Sequence, residues 1–372
     1  MAYTDIDDPS AHFQTVIWTG NDSNPRTISH GGNSDMQPDL LWHKLRSGIL
    51  SHMLYDSTRG VGKRLHTDQT SGEATQSDTG TITAFTSNGF TVDAGTSNDL
   101  YVNDGSRTYV SWGWKVNGGT TTTNDASVTG VGDIDSVIQA NQTAGISIVT
   151  YTGTDTAGET FAHGLGAIPD MVIIKRRGAD GDDWAVQLAT TLGNTNALRL
   201  NSAGAYTGSN GAGFWNDTSP TSTVMSLGTR AEVNSASTNT YVGYFFKSIQ
   251  GYSKIGSYIG NGNASHSPFI YTGFKPAFVM IKRTSDSENW VIWDNQRDPF
   301  NNFYHVLLAN ATSAEDTSNA GSGGRFVGDF LSNGFKLRNS HATSNANAST
   351  YIYMAFAEHP FVSSEGVPTT AR

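Results

Sequence analysis

Short runs of alternating large and small or polar residues recur along the chain, separated by clusters of Gly, Asn, Ser and Thr. In TYVGYFF, which begins at Thr240, large residues occupy every second position, as a half-buried strand requires. The turn sequence SNGF occurs at Ser87 and Ser332, and Asn-Gly tolerates the positive φ of a hairpin. No helical periodicity extends beyond about three turns, and residues 133–141 fit only a short helix or a linker. The pattern predicts an all-β fold.

Two strand patterns occur three times in the same order, which indicates internal repeats. One is an apolar strand that ends in basic residues, and the other is a Thr-Tyr strand with alternating aromatics. The first reads PDLLWHKLR from Pro38, PDMVIIKRR from Pro169 and PAFVMIKRT from Pro276. The second reads TYVSWGWKV from Thr108, TYVGYFFKS from Thr240 and TYIYMAFAE from Thr350. A further strand follows each basic segment: HMLYDSTRG from His52, WAVQLATTLG from Trp184 and WVIWDNQRD from Trp290.

The copies are too long for propeller blades of ~40–50 residues and suit β-sandwiches. We predict three tandem, related β-sandwich-like repeats of about six strands each. The Gly- and Thr-rich sequence from Asn117 favours a flexible connection, whereas copies two and three join directly. An N-terminal domain should therefore precede a larger unit of two packed repeats. The expected boundaries are an N-terminal arm 1–12, repeats 13–118, 146–252 and 253–360, a linker 119–145 and a C-terminal arm 361–372.

Composition narrows the function classes. The chain has 372 residues, no cysteine and a formal net charge of −10. Disulfides and thiolate metal sites are excluded, and binding to nucleic acid is not expected because it needs clustered Lys and Arg. The acidic N-terminus lacks the apolar core of a signal peptide, and no apolar run approaches the ~20 residues of a membrane helix. We expect a protein made in the cytoplasm that does not insert into membranes.

Few residues point to chemistry. Asp180, Asp182 and Asp183 form an acidic turn that is a weak candidate for calcium, although it lacks EF-hand spacing and the pattern favours a solvated turn. Trp215 and Trp293 stand near polar loops, where an exposed aromatic can stack on a sugar ring, although core packing is favoured. No pattern marks a catalytic residue, a cofactor site or a strong metal site. We therefore predict a non-enzymatic protein without a cofactor.

Several segments resemble a repeat-containing module that is common in structural proteins of tailed phages, particularly marine ones. The resemblance covers nearly the whole chain and includes VIWTGN from Val16, GISIVTYTGT from Gly145, GYSKIGSYIGNG from Gly251 and DFLSNGFKLR from Asp329. It implies a virion protein of the tail-fibre or general structural type, and it brings no catalytic residues. Residues 1–12 lack the long shaft of a classical fibre, which fits a compact module on the tail or the capsid.

Three functions follow from these expectations. The leading hypothesis is a homo-oligomeric, trimeric tail protein that binds other virion proteins and contacts a host glycan or protein. Its contact surfaces would be the polar loops that begin at Thr191 and Ala309, since loops on a rigid scaffold often carry binding. The alternative is a capsid decoration protein that uses the C-terminal arm, FVSSEGVPTTAR from Phe361, to hold a neighbour. A glycan-degrading tailspike is less favoured, because such proteins are usually long parallel β-helices.

Overall fold

Antiparallel strands form almost all of the regular structure in this protein. A computed structural model describes residues 3–75, 79–95, 100–178, 182–206, 208, 211–236, 238–318 and 327–369. Its strands fall into three successive units, at 13–114, 122–246 and 253–360, preceded by a short 3-10 helix (Pro9–Ala11). The all-β prediction is confirmed.

The first unit contains the four-stranded sheet β1-β9-β3-β4, a three-stranded sheet β2-β8-β7 and the small pair β5-β6. Its strands are β1 (Phe13–Thr19), β2 (Arg26–Ser29), β3 (Leu40–Leu45), β4 (Met53–Asp56), β5 (Lys63–Arg64), β6 (Ala74–Thr75), β7 (Thr81–Thr86), β8 (Gly89–Asp93) and β9 (Thr108–Trp114).

The second unit contains the seven-stranded sheet β10-β11-β12-β18-β14-β15-β16 and the pair β13-β17. Its elements are β10 (Thr122–Asn124), α1 (Ala126–Thr129), β11 (Ser136–Asn141), β12 (Ile146–Thr152), β13 (Thr160–Ala162), β14 (Met171–Arg176), β15 (Ala185–Gln187), α2 (Ala189–Leu192), β16 (Leu198–Arg199), α3 (Gly211–Trp215), β17 (Val224–Ser226) and β18 (Thr240–Phe246).

The third unit contains the five-stranded sheet β19-β26-β21-β22-β23 and the three-stranded sheet β20-β25-β24. Its elements are β19 (Ser253–Ile259), β20 (Phe269–Tyr271), β21 (Phe274–Arg283), β22 (Val291–Asp294), β23 (Leu307–Leu308), β24 (Gly328–Leu331), β25 (Gly334–Leu337), α4 (Ala342–Asn345) and β26 (Thr350–Pro360).

The three large sheets share one strand order. In each, an early strand (β1, β12 or β19) pairs with the last strand (β9, β18 or β26), which pairs in turn with the strand that ends in basic residues (β3, β14 or β21). The registers agree as well, since Phe13 lies opposite Trp114 and Ile146 lies opposite Phe246. This common order is what tandem repeats would produce, and the repeats themselves stay a prediction.

Each unit has its own outer core between its large sheet and the smaller sheet beside it. Every outer core contains one stacked aromatic pair that joins the early strand to the last strand. The ring centroids of Tyr151 and Tyr241 are 5.0 Å apart, and those of Tyr258 and Tyr351 are also 5.0 Å apart. The alternation along each strand therefore sends one set of aromatics outward into the unit.

The opposite faces of the three large sheets meet in one central core. Phe356 of the third unit lies at its middle, where its ring centroid is 5.5 Å from that of Trp114 and 6.3 Å from that of Phe246. The expected separation of an N-terminal domain from a two-repeat unit is therefore wrong. Its tryptophans explain why: Trp42, Trp112 and Trp114 lie on the inner face of the first sheet and are buried against the other units.

The predicted linker 119–145 is also not a flexible connection. It contains β10, α1 and β11, and β11 pairs along its whole length with β12. Residues 136–141 therefore form a strand rather than a helix or a loop. The sequence SVIQAN hides this strand because its buried positions are the polar residues Ser136 and Gln139.

Both predicted arms pack against the rest of the chain over their described residues. Ile6 belongs to the central core, and the Thr4 hydroxyl donates to the carbonyl oxygen of Gln250 at 2.8 Å. The Ser364 amide donates to Asp7 Oδ1 at 2.7 Å, so the two terminal segments bind each other. No helix in the described ranges is long and apolar enough to cross a membrane.

Candidate functional site

The two tryptophans that we considered for glycan binding are buried. Trp215 and Trp293 have no exposed surface, so neither can stack on a sugar ring. The Trp215 indole donates to the carbonyl oxygen of Asn196 at 3.1 Å, and Trp293 packs on Phe303 with ring centroids 4.9 Å apart. Both are core residues, Trp215 in the outer core of the second unit and Trp293 in that of the third.

The acidic turn divides into ion pairs where the structure describes it. Asp182 Oδ2 lies 2.7 Å from Arg176 Nη1, and Asp183 Oδ2 lies 2.6 Å from Arg199 Nε. Asp180 lies outside the described residues. Within the described ranges, no three His, Asp or Glu side chains are grouped so that they could bind a metal.

The two loops that we expected to contact a host each form hydrogen bonds with a neighbouring unit. In the loop from Thr191, the Ala203 carbonyl accepts from the Glu288 amide at 2.9 Å. In the loop from Ala309, the Thr312 carbonyl accepts from the Leu50 amide at 2.9 Å. Residues 207, 209 and 210 of the first loop and residues 319–324 of the second lie outside the described part. Each loop is therefore held to a neighbouring unit by main-chain hydrogen bonds.

A buried lysine stands at the end of the same strand in each unit. Lys44, Lys175 and Lys282 have no exposed surface, and their ammonium groups donate to main-chain carbonyls. Lys44 Nζ lies 3.3 Å from the carbonyl oxygen of Thr312 in the third unit, and Lys175 Nζ lies 2.6 Å from that of Thr70 in the first. Burial lowers the pKa of Lys44 and of Lys282 to about 8. Lys44 and Lys175 thus anchor loops at the junctions between units, whereas Lys282 donates to carbonyls of its own unit.

A chain of ion pairs joins the first unit to the second. The side chains of Asp56 and Arg59 are fully buried, with Arg59 Nε 2.5 Å from Asp56 Oδ2. Arg59 Nη1 lies 3.0 Å from Glu73 Oε2, which also lies 2.9 Å from Arg177 Nε of the second unit. Burial opposes the charge of Glu73, but the two guanidinium groups lower its pKa to about 2. Glu73 is therefore ionised at neutral pH and cannot act as a general acid.

The third unit joins the first through the same arrangement. Arg297 Nε lies 2.5 Å from Asp294 Oδ2 with both side chains fully buried, and Arg297 Nη1 lies 3.0 Å from Glu315 Oε1. Glu315 Oε2 in turn lies 2.8 Å from Arg46 Nη2 of the first unit. Burial opposes the charge of Glu315, yet Arg297 and Arg46 lower its pKa. Both networks give each buried carboxylate a guanidinium partner.

Each buried aspartate also accepts a hydrogen bond from the neighbouring unit. The Trp112 indole donates to Asp294 Oδ2 at 3.0 Å, and the Tyr244 hydroxyl donates to Asp56 Oδ2 at 2.7 Å. Trp112 and Tyr244 occupy the same position of the Thr-Tyr strand in the first and second units. The junctions thus pair a donor of one unit with an aspartate of the next.

The junction between the second and third units replaces this polar contact with an apolar one. Leu188 and Thr191 stand where the other units have the Asp and Arg of the ion pair, and Met354 stands where they have Trp112 and Tyr244. Leu188 and Met354 both belong to the central core. Donor and acceptor are absent together from this junction, so neither is left buried without a partner.

Several histidines are buried in their neutral form. Burial lowers the pKa of His30, His43, His66 and His163 to about 4. Burial also holds the pKa of His52 well below its usual value. The His52 imidazole accepts from the Trp42 indole through Nδ1 at 2.9 Å, which places its proton on Nε2. Sequence reasoning missed these groups and the buried lysines. The lysines and His43 lie inside the repeated strands, which was the available signal for them. His30, His52, His66 and His163 lie outside the strands.

Comparison with known proteins adds one finding. The model of one protein family, described as a domain of unknown function (DUF7483), matches residues 8–360. No curated protein and no solved structure matches the chain.

Acid should destabilise the protein through these histidines. Each has a folded pKa below its unfolded value, so the stability that it contributes is complete above pH ~6.5 and falls as the pH approaches 4. A pKa of about 4 for His43 corresponds to a loss of about 2 kcal/mol between pH 7 and pH 5. In His43→Ile, which carries the residue of the equivalent positions 174 and 281, the free energy of unfolding should fall less over this range by about that amount. Urea unfolding at both pH values measures the difference.

The matched control is His266→Gln, because His266 is exposed. It should keep the pH dependence of the unchanged protein. If His43→Ile and the unchanged protein lose equal stability between pH 7 and pH 5, His43 is not buried in the neutral form.

The polar residues of the junction between the third and first units should be replaceable by those of the apolar junction only if all of them are changed together. Asp294→Leu alone leaves Arg297 buried beside Trp112 without its nearest carboxylate, and we expect a loss of about 3–5 kcal/mol. Combining it with Arg297→Thr and Trp112→Met copies the apolar junction and should restore most of that stability. Urea unfolding followed by circular dichroism measures both variants.

Asp286→Leu is the control, since the Asp286 side chain is 60% exposed in its pair with Arg283 and should cost less than about 1 kcal/mol. A triple variant as unstable as Asp294→Leu would contradict the equivalence of the junctions.

Proposed function

We propose that this chain, which belongs to the DUF7483 family of domains of unknown function, is a structural component of a bacteriophage particle. We place it on the tail, bound to other virion proteins as a trimer, where it contacts the host surface through a glycan or a protein. The sequence resemblance to tailed-phage structural modules supports the virion assignment.

The observation that carries the proposal is the way in which the units are joined. Their large sheets bury one common core, and charged groups of one unit bind partners in the next, as Arg177 binds Glu73 and Arg46 binds Glu315. Such a body resists displacement of one unit against another, because separating the units would expose the core and unpair buried charges. Rigidity of this kind suits a part that transmits or withstands force.

An exposed aromatic surface on the third unit is the favoured host contact. Phe269 and Tyr271 lie on β20 on either side of the buried Ile270 and are 44% and 52% exposed. Because strand side chains alternate, both rings project from the same outer face. Aromatic rings with a polar group at one end are common in recognition surfaces. This surface replaces the two buried tryptophans in the attachment hypothesis.

The decoration alternative has less support from the chain termini. That alternative expected the C-terminal arm to bind a neighbouring subunit. Residues 361–369 instead bind within the chain, where the Phe361 amide donates to the Gly273 carbonyl at 3.2 Å and Ser364 binds Asp7. We therefore favour the tail.

The location of the chain on purified particles tests the proposal. Quantitative mass spectrometry should find a small copy number that is a multiple of three, and labelled antibodies in electron microscopy should mark the tail with β20 facing away from the particle. Hundreds of copies over the head would overturn the tail assignment in favour of decoration. Absence of the chain from washed particles, with a detection standard spiked at a few copies each, would overturn the virion assignment itself.

A further inference from the structure

A groove runs along the free edge of strand β1. β1 is the outermost strand of its sheet, and within the described residues no other strand pairs with its outer edge. Residues 13–17 all line the groove, which encloses about 340 Å³. Because side chains of a strand alternate between its faces, five consecutive residues can line one groove only along the main-chain edge. The groove therefore exposes the hydrogen-bonding edge of β1.

The equivalent edge in the second unit is occupied by a strand. β12 pairs with the last strand of its unit in the register that β1 has in the first unit. The outer edge of β12 is paired with β11, from Ile146 opposite Asn141 to Tyr151 opposite Ser136. Residues 13–17 correspond in register to 146–150, all of which pair with β11. The groove thus lies where β11 would lie if the first unit had such a strand.

The residues that the neighbouring unit places beside β11 also correspond to those that it places beside the groove along β1. In the second unit, the Gln139 amide of β11 donates to Ser57 Oγ at 2.9 Å and to Thr58 Oγ1 at 2.8 Å, both in the first unit. Ser57 and Thr58 directly follow the buried Asp56. In the third unit, Asn295 and Gln296 follow the equivalent Asp294, and both line the groove. The neighbouring unit therefore presents polar side chains to the groove at the position where it binds Gln139.

Thr15 marks the point where a partner side chain is needed. Its hydroxyl is buried and has no hydrogen-bond partner among the described residues, an arrangement that is unfavourable for a buried polar atom. The equivalent residues of the other units are Ile148 and Ile255. Gln139 lies directly opposite Ile148. A strand in the groove would therefore place its counterpart of Gln139 opposite Thr15.

The edge of β19 in the third unit differs from that of β1. There the Ile255 amide donates to Ser248 Oγ at 3.0 Å, and Ile249 forms a bridge with Ser253. The segment that connects the second and third units thus covers the beginning of this edge.

We propose that the groove along β1 accepts an extended segment of another protein, which adds to the sheet as an antiparallel strand. The segment has an amide side chain, Gln or Asn, opposite Thr15, where it meets the hydroxyl of Thr15 and the side chains of Asn295 and Gln296. Strand addition satisfies an exposed sheet edge and draws specificity from such side-chain positions. This inference stands on the groove alone and does not depend on the virion proposal.

A peptide with the sequence of β11 tests the proposal. The fluorescent peptide DSVIQANQ, which copies residues 135–142, should bind the full-length protein saturably in a polarisation assay. Replacing the glutamine that copies Gln139 with alanine should weaken binding about tenfold, as expected for the loss of one or two hydrogen bonds in a buried site. Hydrogen exchange should show new protection of the β1 amides.

Two protein variants separate binding from folding. Thr15→Ile introduces the residue of the other units and should weaken peptide binding several-fold without lowering stability. Thr19→Ile, at the exposed end of β1 outside the groove, should bind as the unchanged protein does. No saturable binding up to about 1 mM, equal binding by both variants, or protection of β12 in place of β1 would overturn the proposal. Self-association that protects β1 without any peptide would overturn it in favour of a second copy of the chain.

Discussion

The contact of Phe356 with aromatic residues of all three units is the constraint on which the rest of the structure depends. Its ring packs on Phe13 and Trp114 of the first unit, on Phe246 of the second and on Phe278 of its own. These contacts place the inner faces of three large sheets around one core. A sheet with two apolar faces must cover both of them, and here each unit covers its outer face itself and its inner face with the other units.

Placing the inner faces together forces the strand ends and loops of one unit onto the next. Buried lysines, arginines and carboxylates then lie at the junctions, where each needs a partner. Two junctions supply the partners through the Asp56–Arg59–Glu73–Arg177 and Asp294–Arg297–Glu315–Arg46 networks. The third has Leu188 and Thr191 in place of the buried Asp–Arg pair and Met354 in place of its hydrogen-bond donor. At each junction, the residue on the last strand of one unit and the residue that it meets in the next unit are thus either both polar or both apolar.

The two-residue alternation in the sequence correctly located the strongest strands, such as the Thr-Tyr strands that became β9, β18 and β26. It could not reveal how the units pack, because a tryptophan in a strand looks the same whether its face covers its own unit or a neighbour. It also missed β11, whose buried residues Ser136 and Gln139 are polar and are satisfied only by tertiary hydrogen bonds. Polar sequence around Trp215 and Trp293 left exposure open as the less favoured alternative, and the structure confirms core packing for both. The groove along β1 was equally invisible, since it is defined by comparison with β11.

The central claim is that the three units form one cooperative structure because they share their core. Scanning calorimetry of the full chain tests it most directly. If the core is shared, unfolding occurs in one transition, with a calorimetric enthalpy equal to the van't Hoff enthalpy. Two or three separable transitions, each with the enthalpy expected for about a hundred residues, would contradict the account and show that the units are stable on their own.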